Sequence, residues 1–189
     1  MSANRDDGIP RLAQDELDPA LRDFLKPTVD RLGYLGEFFQ VAAHVPNALP
    51  AFMHYTGAVK APLSDAQNEV LALCVCGMLE ADYERIQHER LAKRLGFSLD
   101  WIAAACGRPG SHLSALADDE RALLALAQAA VSSHGLRCDD ELRAVAALLG
   151  PVKATAALLQ VSRFMGIALM CNALALELPV PSVFDETSA

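Results

Sequence analysis

The sequence predicts an all-α protein. Apolar residues recur at helical spacing through most of the chain, and Ala, Leu, Glu and Arg dominate those periodic segments. No alternating run enriched in β-branched residues is long enough to build a sheet. With 189 residues, 52% hydrophobic and 21% charged, the chain has single-domain length and enough apolar surface for one substantial core. One all-α domain over residues 1–189 is expected, with residues 1–16 and 180–189 as loose polar termini.

Each element carries its own local signals. Asp18-Pro19 has the form of an N-cap followed by proline at the first helical position, opening a helix to about Arg31 that Gly33 and Gly36 interrupt. Pro46 and Pro50 mark the next break. Ser64-Asp65-Ala66-Gln67 fits a capping box, in which the serine hydroxyl serves an orphan amide and the glutamine reaches back, so a helix begins there with Glu69 on its first turns. A kink or short break is expected over residues 79–81, and the helix from Asp82 to Leu95 stops at Gly96 in the C′ place. Ser98 starts a short helix. Asp118 to Ser133 begins with acids, continues as an Ala and Leu stripe and ends at His134-Gly135, where the helix dipole accounts for a histidine. Asp139-Asp140-Glu141 places negative charge at the next helix start. Gly150-Pro151 opens the last helix, expected to reach about Leu178 before Pro179 and Pro181. A helix apolar over most of its circumference has to be covered on all sides. This predicts a homo-oligomer through Phe164, Ile167, Leu169, Met170, Leu174 and Leu176.

The stretch from Glu69 to His88 carries the chemistry. It sets Glu69, Glu84 and His88 in the arrangement Glu-x14-Glu-x3-His on helical sequence. Residues four apart on a helix are neighbours, so Glu84 and His88 share a face, and a carboxylate beside an imidazole suits proton transfer without a cofactor. Taken singly, Glu84 and His88 could be a surface pair and Glu69 a first-turn acid favoured by the dipole. Leu91 and Leu95 continue the His88 face, which is therefore expected to turn toward the core, where an ionisable group needs a partner. Tyr83 and Arg85 read as packing and solvent-facing residues.

The same frame resembles the carboxymuconolactone decarboxylase and alkyl hydroperoxidase D superfamily, whose peroxidase branch carries Glu, eleven residues, Cys-x-x-Cys, three residues and His. Glu69, Ala81, Glu84 and His88 fit every spacing, but neither cysteine is present. Ala81-Asp82-Tyr83-Glu84 with His88 is similar to the family form Cys-Glu-Tyr-Glu-x-x-x-His with alanine for cysteine. His44-Val45-Pro46-Asn47 with Ala51-Phe52, and His88-Glu89-Arg90-Leu91-Ala92 with Leu95-Gly96, are similar to neighbouring family segments. The final helix adds Cys171-Asn172-Ala173-Leu174, so the likeness covers about residues 41–178. The resemblance implies an alkyl hydroperoxidase D-like helical bundle assembled into trimers or hexamers, with pockets near subunit contacts. It also implies that the small side chain of Ala81 leaves open the space of a family thiol.

Three functions follow as expectations. The preferred one is a decarboxylase-like, cofactor-free enzyme acting on a small carbonyl, lactone or carboxylic acid, with His88 as general acid or base, Glu84 orienting it, and Glu69 relaying a proton or holding a water. A second is a peroxidase-related antioxidant protein, which would need a cysteine outside the motif, since the thiolate is the nucleophile of that reaction. A third is a catalytically silent oligomer that binds a small ligand in the same pocket.

Cys74, Cys76, Cys106, Cys138 and Cys171 are odd in number and scattered, unlike a secreted disulfide framework. Cys74 and Cys76 lie about 200° apart around a helix and cannot face each other. Cys76 shares the Glu69 face and is the one candidate for a pocket thiol. No metal is expected: Glu84 and His88 give two ligands on one face, with Glu69 or His44 as further donors, but the paired Glu-x-x-His of di-iron bundles and the catalytic zinc spacings are absent. The net charge of -8 argues against nucleic acid and anionic membranes as partners, and a small acidic ligand would need a local positive site. The start of the chain is polar where a signal peptide needs an apolar region, so the cytoplasm is expected. The longest apolar stretch, Phe164 to Leu176, falls short of the roughly 20 residues that a spanning helix needs.

Overall fold

The computed structural model describes residues 8–185, and those residues are helical with no strand. The elements are α1 (Pro19–Leu32), α2 (Glu37–Ala42), α3 (Ala48–Lys60), α4 (Asp65–Met78), α5 (Asp82–Arg94), α6 (Leu99–Ala105), a 3-10 turn (Leu113–Ala115), α7 (Asp118–Ser133) and α8 (Asp139–Ala173). Their ends follow the local signals. Asp18 Oδ1 accepts from the amides of Ala20 and Leu21, Gly33 closes α1 in the left-handed region at φ 83°, and both bonds of the Ser64–Gln67 capping box form. His134 ends α7 with φ 54°. Within α8 the backbone kinks sharply at Gly150, with φ 82° and ψ 165°, so Gly150-Pro151 begins a new helical run as the sequence predicts.

The centre of the fold is α4, not α8. Residues 67–76 of α4 are buried without interruption, and α5, α6, α7 and α8 pack around it. A helix buried on every side needs every side covered, and these four neighbours supply the cover. One apolar cluster joins α4, α6, α7 and α8. A second joins Leu21 and Leu25 of α1, Phe38 of α2, Leu49 of α3, Tyr83 of α5 and Ile167 of α8. Glu69 on α4 and Glu84 and His88 on α5 stand where the two clusters meet.

Three local expectations are corrected. Pro50 does not break the chain: it sits in the first turn of α3, where its missing N–H has no helical partner to lose. The last helix stops at Ala173, before Leu178, because Ala175 turns left-handed (φ 43°) and the Leu176 amide closes the end by donating to the Cys171 carbonyl at 2.9 Å. Finally, residues 181–185 are not loose: Ser182 and Val183 are buried, and the Ser182 hydroxyl donates to Glu89 Oε2 at 2.5 Å. Glu89 is itself wholly buried and paired with Arg85, which gives the tail a charged anchor. At the other end, residues 8–16 are likewise tied down, since Arg11 donates to the Leu174 carbonyl at 2.9 Å; residues 1–7 and 186–189 lie outside the described residues.

α8 is long and apolar enough to cross a membrane by length and composition alone. In the fold it packs against α3, α4, α5 and α7, and it carries Gln160 and Arg163 on its buried side.

Candidate functional site

The first turn of α4 is polar although it lies inside the molecule. Gln67, Asn68 and Glu69 are each 2–4% exposed, so each needs a partner. Gln67 Nε2 donates to Asp119 at 2.7 Å, Asn68 Nδ2 donates to the carbonyls of Lys60, Leu63 and Ser64, and Glu69 points at α5. There its Oε2 stands 2.7 Å from His88 Nδ1. Glu84, one turn before His88, places its Oε2 3.7 Å from the other ring nitrogen, Nε2. The edge of Phe164 packs on the His88 ring with centroids 5.0 Å apart. The spacing Glu-x14-Glu-x3-His thus becomes one constellation, with the imidazole between two carboxylates.

The two carboxylates stand to His88 otherwise than helical spacing suggests. Helical spacing assigns the orienting of His88 to Glu84, yet Glu69 makes the short contact, because it approaches from a second helix on the buried side while the i,i+4 pair stays open at 3.7 Å. Glu84 and His88 line a cavity of about 490 Å³; Glu69 lies behind the ring and does not reach it. Burial raises the Glu84 carboxyl above the ordinary range, a rise that His88 and Arg163 oppose and Glu69 reinforces.

The surroundings bring further corrections. Leu91 lines the cavity and Leu95 is exposed, so the His88 face of α5 meets this space; the core face carries Glu89 and Ala92 instead. Ala81 is fully buried in the main core and does not line the cavity, so it leaves no space there for a thiol. Cys76 is likewise fully buried and absent from the cavity wall, and burial first, then Glu84, pushes its thiol well up. Cys74 and Cys106 are pushed up to about 12, chiefly by burial, and Cys171 also rises. Tyr83 is buried, lines the cavity and accepts a hydrogen bond from the Phe38 amide at 3.2 Å. Arg85 is not a simple solvent-facing residue, since it pairs with Asp82 and buried Glu89. His44 lies away from the constellation and donates through Nε2 to the Pro10 carbonyl at 2.8 Å.

Sequence reasoning missed Arg163. It is 8% exposed, lines the cavity with Glu84 and His88, and donates from Nε to Gln160 Oε1 at 2.7 Å. The signal was present: Arg163 is the sole charged residue between Lys153 and Glu177. Burial lowers its pKa, and Glu84 is first among the groups that hold it up.

Two solved structures share this architecture. An uncharacterized peroxidase-related protein from Ralstonia eutropha JMP134, described as an alkylhydroperoxidase AhpD core, superposes with a TM-score of 0.71 over 88% of each chain at 17% identity. A protein of unknown function from Agrobacterium tumefaciens, with a suggested role as an antioxidant-defence AhpD, superposes with a TM-score of 0.66 over 74% of this chain and 96% of its own at 18% identity. The chain has the AhpD-like fold. No protein-family model matches the chain, and no curated protein matches it in sequence. Within the AhpD-like fold, therefore, what this chain can do has to be argued from its own residues.

Proposed function

We propose that the protein is a cofactor-free acid/base enzyme, carboxymuconolactone decarboxylase-like in type, acting on a small carbonyl compound, lactone or carboxylic acid. The observation that carries this reading is the imidazole clamped at Nδ1 by buried Glu69 and facing the cavity with Nε2 beside Glu84. With Nδ1–H donating to Glu69, the ring is fixed in the tautomer whose Nε2 carries the lone pair. Nε2 takes a proton from the carbon next to a substrate carbonyl, and the Glu84 carboxyl, raised by burial, gives one to the carbonyl oxygen as the enol forms. Return of the two protons regenerates the site. In a decarboxylation the bonding pair of the departing carboxylate enters the carbonyl system instead, and His88 in its protonated form then supplies the proton to carbon.

The fold likeness favours a second reading, since one of the two neighbours is described as peroxidase-related. The cysteines of this chain speak against it. Positions 81 and 84 hold Ala and Glu, and the four thiols whose pKa is displaced are all displaced upward, away from the reactive thiolate.

The test is hydrogen–deuterium exchange at carbon, followed by NMR in heavy water over a panel of small oxo acids and lactones. Wild-type protein is expected to accelerate exchange in at least one of them, and His88→Gln and Glu69→Gln to lose about 100-fold or more of it. Exchange that survives His88→Gln removes the proposed base. Dithiol-dependent hydroperoxide turnover by the unmodified protein would establish the peroxidase reading in its place.

A further inference from the structure

The cavity is positive in an acidic molecule. The chain carries a net charge of -8, yet Arg31, Lys60, Arg90, Arg94 and Arg163 line the space, against the single carboxylate of Glu84. Arg31 and Arg94 are exposed, whereas Arg163 is more than nine-tenths buried. Solvent screens the exposed cations, and their contribution to holding an anion is correspondingly small. Arg163 differs from them in how it is held.

A chain of three buried polar side chains fixes it. Asn68 is anchored by three backbone carbonyls, its Oδ1 accepts from Gln160 Nε2 at 2.6 Å, and Gln160 Oε1 accepts from Arg163 Nε at 2.7 Å. Gln160 is wholly buried and Asn68 is 4% exposed. The guanidinium lies over the Phe164 ring at 3.8 Å, the same ring whose edge meets His88. Among the described residues its Nη atoms have no hydrogen-bond or ion-pair partner, while no fully buried side-chain nitrogen or oxygen lacks one. The Nη atoms therefore open onto the cavity that Arg163 lines. A forked pair of donors at the tip of a largely buried side chain matches a carboxylate in geometry as well as charge.

We propose that Arg163 is the anion receptor of this cavity, binding the carboxylate of an organic acid beside His88 and Glu84, and that Asn68 and Gln160 are the positioning residues that aim it. Phe38, Phe39, Phe52 and Met53 line the same cavity and supply the apolar wall for the body of that acid. The inference rests on the cavity being the substrate site, but it concerns binding and does not require turnover.

Benzoate and its uncharged isostere benzamide are the probes, titrated into the full chain by calorimetry at 0.15 M salt. Wild type is expected to bind benzoate more tightly than benzamide. Arg163→Met should weaken benzoate about 30-fold and leave benzamide within a factor of two. Gln160→Leu should weaken benzoate selectively too, because it frees the guanidinium to turn; a merely structural defect would weaken both probes. Should Arg163→Met fail to fold, Arg163→Lys keeps the charge without the fork and is expected to lose about tenfold for benzoate alone. Arg94→Gln is the rim control, with less than a threefold effect expected. Equal binding of the two probes, no binding of either, or a benzoate loss in Arg94→Gln matching that in Arg163→Met each overturns the assignment. His88→Gln separates this inference from the catalytic one: it should retain benzoate while losing proton exchange.

Discussion

Gly36 reports on how the cavity wall is seated. Its backbone, φ -64° and ψ 147°, suits alanine, so any cost of Gly36→Ala comes from contact and not from strain. A Cβ there would lie 2.6 Å from Tyr83 Oη and 3.6 Å from Phe39 Cδ2. Ordinary contact begins near 3.4 Å, so the hydroxyl must retreat by about 0.8 Å, enough to stretch its 3.2 Å bond from the Phe38 amide beyond hydrogen-bond range. A buried amide left without its partner costs about 1–3 kcal/mol, and the stiffer unfolded chain returns about 0.4–1 kcal/mol. Gly36→Ala is therefore expected to destabilise the protein by about 1–2 kcal/mol. In a Tyr83→Phe background the obstructing oxygen is gone, and the same change should stabilise by about 0.5 kcal/mol. Urea titration at fixed protein concentration, followed by fluorescence of the single tryptophan, buried Trp101, measures both. Failure of the sign to reverse between the two backgrounds would show that Tyr83 is not packed against Gly36.

Two further expectations concern charge and assembly. Glu84 faces His88, Arg163 and Glu69, and the net effect is a folded-state pKa above the unfolded one. The folded protein then binds the proton more tightly, so this group takes stability away as pH rises from the ordinary carboxylate range through its folded pKa, and the loss persists above. Urea titrations should find Glu84→Gln as stable as wild type near pH 4 and more stable at pH 8; a variant that instead falls behind wild type as pH rises contradicts the sign. We also propose that a second copy covers the outer face of α8. Thr155, Leu159, Ser162, Gly166, Leu169, Met170 and Ala173 recur at helical spacing on the exposed side with no charge among them, and Leu169 is 71% exposed. Light scattering should give a multiple of 20.2 kDa that Leu169→Glu reduces, and a wild-type monomer at tens of micromolar contradicts this.

The boundaries most legible in the sequence were those written in backbone chemistry. Asp18-Pro19, the Ser64–Gln67 box and Gly96 act through neighbouring amides, so a local reading captures them. The meeting of Glu69 with His88 was legible only because a family frame tied two helices together; periodicity alone pairs His88 with Glu84. What could not be read depended on which helix lies innermost. Of the apolar residues in the final helix, Phe164 and Ile167 are covered within the chain while Leu169 and Met170 are not, a division set by where α4 and the cluster around α1, α2 and α3 lie against α8. The same placement hid Arg163, whose side chain is held only because Gln160 and Asn68 meet across 92 residues of sequence.

The polar first turn of α4 explains how these pieces hold one geometry. Gln67 ties the turn to Asp119 of α7 and, through Lys153, to α8; Asn68 ties it to Gln160 of α8; and Glu69 ties it to His88 of α5. Three consecutive side chains on the innermost helix thus reach three surrounding helices. Each of them is almost fully desolvated, so a misplaced neighbour would leave a buried donor or acceptor unpaired, at a cost larger than the net worth of an ordinary hydrogen bond. That asymmetry makes the network a positioning device more than a source of stability. It aims the imidazole through Glu69 and the guanidinium through Asn68 and Gln160 from the same turn, which couples the proposed base and the proposed anion receptor through one shared anchor.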